Sequence, residues 1–371
     1  MKTMLVENCC EILDSKRVPI TAADRKEGPY PYYGANGLQD HVAEYIFDDE
    51  LVLLAEDGGN FGSKIRPIAY RVSGKCWVNN HAHVLKPKEG LDVDFLCYSL
   101  MFYDTNGLVN GATRQKLTQA TMKKMQIPDL PLEKQKAIVN QLDKIVSIKE
   151  MCQQEMKKLD ELLKARFVEM FGNPDVNENN WETHKMEQLC DVGSSKRIYQ
   201  NEQSMIGIPF LRISDLVNRM DTGSKESDLY IPEDRFEELK EQGLVPKSGD
   251  ILLTARGTLG RCYIIQDDDE FYFQDGMITW LSKCDAKITP LYISYLFEMP
   301  GFRKQIDSLQ AGSTVAYLSI SMTKKLDIML PPIELQNQFV DFVHQVDKSK
   351  FINTNIIPEG GFYYGDKFFI S

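Results

Sequence analysis

Lys123-Lys-Met-Gln-Ile-Pro-Asp-Leu-Pro-Leu-Glu-Lys-Gln135 and Lys324-Lys-Leu-Asp-Ile-Met-Leu-Pro-Pro-Ile-Glu-Leu-Gln336 are two forms of one phrase, 201 residues apart. Widening the match aligns Gly111 to Leu142 onto Gly312 to Val343 without a gap. Ten of the 32 positions are identical, where ordinary residue usage gives about two by chance. They are Gly111/Gly312, Thr113/Thr314, Leu117/Leu318, Lys123/Lys324, Lys124/Lys325, Ile127/Ile328, Pro131/Pro332, Glu133/Glu334, Gln135/Gln336 and Val139/Val340. The chain is a tandem duplication. Upstream, Glu50-Leu-Val-Leu-Leu-Ala matches Asp250-Ile-Leu-Leu-Thr-Ala at an offset of 200, and Cys10 with Ser15-Lys-Arg matches Cys190 with Ser195-Lys-Arg at 180. Loops therefore differ in length between copies that share a core.

Each copy reads as a mixed α/β domain. Residues 51–55 and 251–254 are apolar enough for buried strands, and glycine-rich turns follow at Gly58 and Gly257. Short helices are expected over 92–103 and 290–299, and 117–128 and 318–330 lead to proline-marked exits. After the first exit, residues 132–171 contain neither Gly nor Pro. Ile138, Leu142, Ile145, Cys152, Met156, Leu159, Leu163 and Met170 recur at steps of three and four, with Lys149 and Arg166 breaking the series. This predicts one helix of about 60 Å. The second exit starts the same pattern at Phe339, Val343 and Val346, but Pro358 and Gly360-Gly361 stop it early. The expected division is a domain over 1–131, a long helix over 132–171, a linker over 172–180, a second domain over 181–331, a shorter helix over 332–352 and an atypical tail over 353–371. The fold class is α+β, and the stripe on the long helix is broad enough to pair with another helix.

The 371 residues suffice for two cores, and no apolar run has membrane-spanning length, so a cytoplasmic protein is expected. Eight scattered cysteines without a C-x-x-C pair point to reduced, buried thiols rather than a zinc site. A net charge of −11 argues against indiscriminate nucleic-acid binding but leaves room for local basic faces. No P-loop, dinucleotide fingerprint, methyltransferase signature or nuclease pattern is present, so no catalytic residue and no enzyme activity is assigned. His81-Ala-His83 reads as structural or DNA-facing ahead of a metal pair, and Asp267-Asp-Asp-Glu270 as a solvated turn.

Domain, long helix, domain, long helix is the order that type I restriction-modification specificity subunits show. The wording of Tyr30-Pro-Tyr-Tyr-Gly-Ala-Asn-Gly, Gly249-Asp-Ile-Leu-Leu-Thr-Ala-Arg-Gly-Thr-Leu-Gly-Arg, Ile127-Pro-Asp-Leu-Pro-Leu-Glu-Lys-Gln and Ala165-Arg-Phe-Val-Glu-Met-Phe-Gly-Asn-Pro resembles that family over residues 5 to about 350. The chain departs from it in lacking a tryptophan-containing lead-in like that at Trp181 and in its short last helix. The resemblance implies two target-recognition domains, joined by long helices that pair as an antiparallel coiled coil, that read a bipartite, asymmetric target in double-stranded DNA. It also implies two modification (methyltransferase) subunits and restriction subunits as partners, which hold S-adenosylmethionine, ATP and magnesium, with no cofactor in this chain.

Within that frame, Asn36 is a candidate to reach an adenine edge, and Tyr32 and Tyr33 to approach phosphates, against the plainer reading of a strand entering a turn. Arg212 and Ser214 occupy comparable seats in the second copy, and Arg256 and Thr258 lie on a glycine-rich turn. Four basic pairs recur at matched places, Lys16-Arg17 with Lys196-Arg197 and Lys123-Lys124 with Lys324-Lys325. They are phosphate clamps, solvated surface pairs or contacts to the methyltransferase subunits. A partner-binding stripe is expected along Ile138, Leu142, Ile145, Met156, Leu159 and Leu163, covered by another chain (self-association included) or by the aromatic tail from Phe362 onward. Two other functions compete: the specificity chain of a related combined restriction enzyme, and an acidic decoy that occupies methyltransferase subunits.

Overall fold

The computed structural model describes residues 2–111, 114–310 and 316–356. Two compact units divide the chain, one running through Gln154 and the other spanning Glu155–Ile352. The boundary thus falls inside the helix Leu132–Phe171, which serves both units rather than standing apart as a spacer.

In the first unit a six-stranded sheet runs in the order Cys10–Ile12, Ala82–Pro87, Phe47–Ala55, Ala69–Val78, Tyr30–Gly34, Gly37–Val42. Leu51 to Ala55 form a continuous apolar run because this central strand is covered on both faces. Val52 and Leu54 pack with Phe95, Leu96 and Leu100 of the helix Val93–Met101, whose first turn is capped by the Asp92 carboxylate. Leu51 and Leu53 face Tyr70, Val72 and Val84 on the other side.

The second unit repeats this plan in pieces. Asp191–Gly193, Ile278–Ser282, Ile251–Thr254 and Cys262–Ile264 form a four-stranded sheet, and Tyr230–Ile231, Ile208–Leu211 and Tyr272–Phe273 a three-stranded one. The single ten-residue strand Ala69–Val78 corresponds to two strands here, separated by the turn that carries Asp267 to Glu270. The parallel pairing survives: Tyr32 and Tyr33 lie opposite Trp77 and Val78, as Phe210 and Leu211 lie opposite Tyr272 and Phe273. Ile251 and Leu253 face Tyr292, Ile293 and Leu296 of the helix Pro290–Glu298. They hold the places of Val52 and Leu54, so the structural offset is 199. The match of 200 read from residue identity is out by one, and in a strand one residue exchanges the two faces.

Each copy closes on itself through its outermost strands. Thr3–Leu5 pairs with Gln126–Pro128, and Glu182–Lys185 pairs with Asp327–Leu330. The repeated glutamine explains the repeated phrase. Gln135, 1% exposed, accepts from the Asp92 N–H and donates to the carbonyls of Gly90 and Leu130. Gln336, fully buried, accepts from the Thr289 N–H and donates to Lys287 and Pro331. One amide therefore satisfies three backbone groups where each long helix leaves its domain.

The second long helix spans Ile333–Ile356, four residues beyond the expected end, and residues 357–371, including the aromatic tail, lie outside the described residues. Within the second unit the two helices run antiparallel. Phe167 and Phe171 pack edge-on against Phe339, the Arg166 guanidinium lies 5.6 Å from the Phe342 ring, and Lys350 pairs with Asp160 at 2.6 Å. The inward stripe of the first helix differs from the expected one. Ile145 is 61% exposed, while Val146 and Lys149 are half-buried, so the series continues through Lys149 instead of breaking there. Desolvation pushes the Lys149 ammonium below its ordinary value. Leu163 is buried in the second unit's own core and offers nothing to a partner.

Cys190 and Cys284 are disulfide-bonded, 94 residues apart, against the expectation of reduced thiols throughout. The absence of a C-x-x-C pair says nothing about cysteines brought together by strand pairing. The first copy has Cys10 opposite Pro87 at the corresponding place, so the bridge belongs to the second copy alone. No helix among the described residues is long and apolar enough to cross a membrane.

Candidate nucleic-acid interface

In both copies the central strand runs into a turn that is bridged by the early part of the repeated stretch. Asp57 pairs with Lys116 in the first copy and Arg256 with Tyr317 in the second. Leu117 and Leu318 donate to the carbonyls of Glu56 and Ala255. These turns are equivalent backbones carrying opposite charge. In the first, Asp57 accepts from Arg114 at 2.7 Å and lies 2.6 Å from His81 Nδ1, while Asn36 donates to the Gly58 carbonyl at 2.9 Å. Asn36, Asp57, His81 and Arg114 therefore form one cluster at the rim. In the second, the Arg256 guanidinium lies 5.3 Å from the Tyr317 ring, and exposed Thr258 gives its carbonyl to the Thr254 hydroxyl.

Beneath the first turn lies an ionic cluster. Asp14 Oδ2 is 2.6 Å from His83 Nδ1 and accepts from Gln119 at 2.9 Å, and Asp14 Oδ1 accepts from the Val84 N–H at 2.9 Å. His83 Nε2 faces the Leu117 carbonyl at 2.9 Å. Glu56 meets Arg17 at 2.6 Å and Lys116 at 3.1 Å. Desolvation pushes the Asp14 carboxyl up, but the hydrogen bond and charge of His83, with Gln119 and the Val84 N–H, hold it below its ordinary value. Glu56 is likewise held low against desolvation by Arg17 and Lys116. Carboxylates do accompany His83, then, but from segments far away in sequence. Asp14, Glu56 and His83 carry donor atoms close enough for a metal ion. Arg17 and Lys116 already supply the compensating positive charge, which fits a structural cluster better than a metal site. The second copy replaces it with Ser194, Ala255 and Thr279.

Two expected contact residues are corrected by their burial. Tyr32 is 1% exposed, its hydroxyl is engaged by Ile20 and the Arg25 guanidinium covers its ring, so it cannot reach a duplex. Arg17 is spent on Glu56 and on the carbonyls of Asp14 and Ala82. Tyr33 is half-buried against Tyr70. Arg212 holds Asp215 at 3.0 Å and Asp228 at 3.6 Å, and the Asp215 hydrogen bond raises its pKa further. Ser214 is exposed and donates to Asp215. Arg197 pairs with Asp275 at 2.8 Å, while Lys16 and Lys196 are exposed. Lys123-Lys124 and Lys324-Lys325 close the short helices Gln119–Met122 and Ile320–Lys324, with Lys124 and Lys325 exposed. Asp57 and Arg114 are candidates the sequence reading passed over, although Arg114 stands inside the repeated stretch that marked the region.

The family model of the type I restriction modification DNA specificity domain matches residues 1–161 and again 178–359. A putative type I restriction enzyme specificity subunit of Haemophilus influenzae is 32% identical over 362 residues, covering 96% of this chain and 89% of that protein. A type I restriction enzyme specificity subunit of Methanocaldococcus jannaschii is 23% identical over 367 residues, 90% of this chain and 83% of its own. Among solved structures, the S subunit of a type I restriction-modification system from M. genitalium aligns with a TM-score of 0.54 at 14% identity over 95% of this chain and 91% of that one. A chain from a study of complex assembly and conformational transition in the type I system aligns at 0.55 and 14%, over 95% and 93%. These two show the shared fold. With the domain matched twice and a relative of this identity along nearly its whole length, the chain belongs to the type I restriction-modification DNA specificity family, the non-catalytic subunit class that gives these systems their DNA sequence recognition.

Proposed function

We propose that the chain reads a bipartite, asymmetric target in double-stranded DNA, one half with each copy, and directs adenine methylation and restriction by partner subunits in the cytoplasm. The observation that carries this reading is the pair of equivalent turns with unlike side chains: Asn36, Asp57 and Arg114 in the first copy, Arg256 and Thr258 in the second. A shared backbone with divergent rims fits two readers of different base sequences. Arg212 and Ser214 are further candidates in the second copy. The exposed lysines of the four basic pairs suit phosphate contacts, which meet the same chemistry whatever the bases. Ile145, Ile148 and Met151 leave an apolar strip on the first helix that suits a methyltransferase subunit. S-adenosylmethionine, ATP and magnesium belong to the partner chains in this scheme.

Sequencing methylated bases in cells that carry this chain and its methyltransferase tests the reading. A split motif is expected, with two unlike halves whose centres lie about one turn, ~34–36 Å, apart. A continuous or palindromic motif overturns the two-reader assignment. The net charge of −11 and the internal pairing of Arg17, Arg197 and Arg212 favour a second reading, a decoy that occupies methyltransferase subunits. A bandshift that fails with the partner present supports the decoy.

A further inference from the structure

Beneath the turn Gly257–Arg261 lies an open cavity of about 620 Å³. Four cations line it: Lys164 from the first long helix, Arg219 from the helix Ile213–Thr222, Arg261 from the turn and Arg303 from the helix Pro300–Leu309. Glu298 is the one carboxylate in the lining. Arg219 is 6% exposed and under-compensated. Its Nη2 lies 3.4 Å from Asp269, its Nε and Nη1 have no hydrogen-bond partner, and its guanidinium rests 4.7 Å from the Phe271 ring. Asp269 is itself shared, because its other oxygen accepts from the Tyr263 hydroxyl and the Gln266 N–H. Lys164 stands 3.8 Å from Glu298, at the limit of an ion pair. Arg261 gives one nitrogen to Asp221 at 2.6 Å, and Arg303 holds the Leu259 carbonyl, which fixes the turn from below.

The duplicated fold supplies its own control. Tyr70 lies where Tyr263 lies, each opposite a central-strand leucine, and the capped helices set Cys97 and Met101 at the places of Ser294 and Glu298. The first copy has a cavity of about 420 Å³ there, lined by Arg71 against Asp94, Asp143 and Glu150, with Cys97, Met101 and Val146. The same place is acidic in one copy and basic in the other, in a chain whose net charge is −11. Low-dielectric walls focus the positive potential inside the second cavity, and an anion entering it relieves a charge that Asp269 leaves partly uncompensated.

We propose that this cavity binds a phosphate oxyanion. Arg261 is the contacting fork, Lys164 and Arg303 close on it, and Arg219 sets the potential from behind. Thr258 and Arg261 share the turn with Arg256, so the phosphate it takes is one of the DNA backbone, seated beside the half-site that the second copy reads. That last step rests on the function proposed above.

The test uses the full chain. Its melting temperature is followed against inorganic phosphate at constant ionic strength set with chloride. A saturable rise is expected, abolished in Arg261→Gln with Lys164→Gln and obtained at lower phosphate in Glu298→Gln. Wild type and the double variant responding alike overturns the site. Should the double variant not fold, an unchanged phosphate response in Glu298→Gln overturns it equally. The second arm measures duplex affinity against salt. Arg261→Gln is expected to lower the log–log slope by about 0.9, the loss of one phosphate contact. An unchanged slope with phosphate binding lost assigns the site to a free phosphate and overturns the backbone assignment. A chain that binds phosphate but no duplex under any condition sinks the DNA reading and leaves the site standing.

Discussion

The two copies of the fold secure the same turn by opposite means. The first places Asp14, Arg17, Glu56, His83 and Lys116 in one ionic cluster under it, whereas the second has small neutral residues there and ties the turn through the Thr254 hydroxyl, which bonds the Thr258 carbonyl and the Arg261 N–H, and through Arg303 on the Leu259 carbonyl. What they retain in common is the buried glutamine at each helix root. The difference teaches where duplicated domains are free to diverge. Backbone groups that must be satisfied in any version of the fold keep their partner, while the means of bracing a loop can be exchanged wholesale.

That comparison can be broken most forcefully at His83. His83→Ala leaves Asp14 buried without its main partner, and a loss of about 3–5 kcal/mol is expected. Urea denaturation followed separately for each unit should place the loss in the first. Thr279→Ala, at the corresponding place, should cost well under that, and equal losses would mean that the ionic cluster is not what braces the turn. Reducing Cys190–Cys284 should act conversely, removing about 2–4 kcal/mol from the second unit alone. A thermal scan with and without reductant reads this directly, and a shift in the first unit's transition would contradict it. Gln135→Leu and Gln336→Leu should be matched. Each leaves backbone groups of a helix root unpaired at about 1–3 kcal/mol, and a clear inequality would show that the shared amide is not equally needed.

Acid should also separate the copies. Asp14 and Glu56 have folded-state pKa values held below their ordinary ones, so they contribute stability above about pH 4. That contribution is lost as pH falls through the lowered values. The second copy has Ser194 and Ala255 at those seats, neither of which titrates. Acid titration monitored by hydrogen exchange should therefore show the first unit loosening before the second. The reverse order would remove the cluster from the account.

Much of this architecture could be read from the residues alone. The duplication, the short helices and the glycine-free helix follow from periodicity and self-comparison, and the family from the resemblance of four stretches of wording, because those signals lie along the chain. What could not be read lies across it. Asp14, Glu56, His83 and Leu117 come from four separate segments, and no spacing announces that they meet. Cys190 and Cys284 are likewise joined by strand pairing at a distance. Aligning Glu50 with Asp250 by residue type gave a register wrong by one, since apolar runs buried on both faces carry no alternation to fix which side is which. Tyr32 looked available because it stands beside a turn, but the strand's pleat sends it inward while Asn36 stays at the rim.

Thr3–Leu5 lies beside Gln126–Pro128, and Glu182–Lys185 beside Asp327–Leu330. The chain thus enters and leaves each copy at one place, next to the root of a long helix. In the language of inheritance, each copy is a cassette. A recombination that cuts within the two paired strands replaces everything between them and leaves the glutamine, the helix root and the helix untouched. Such an exchange would replace one copy in a single genetic step, with the frame that carries it unaltered.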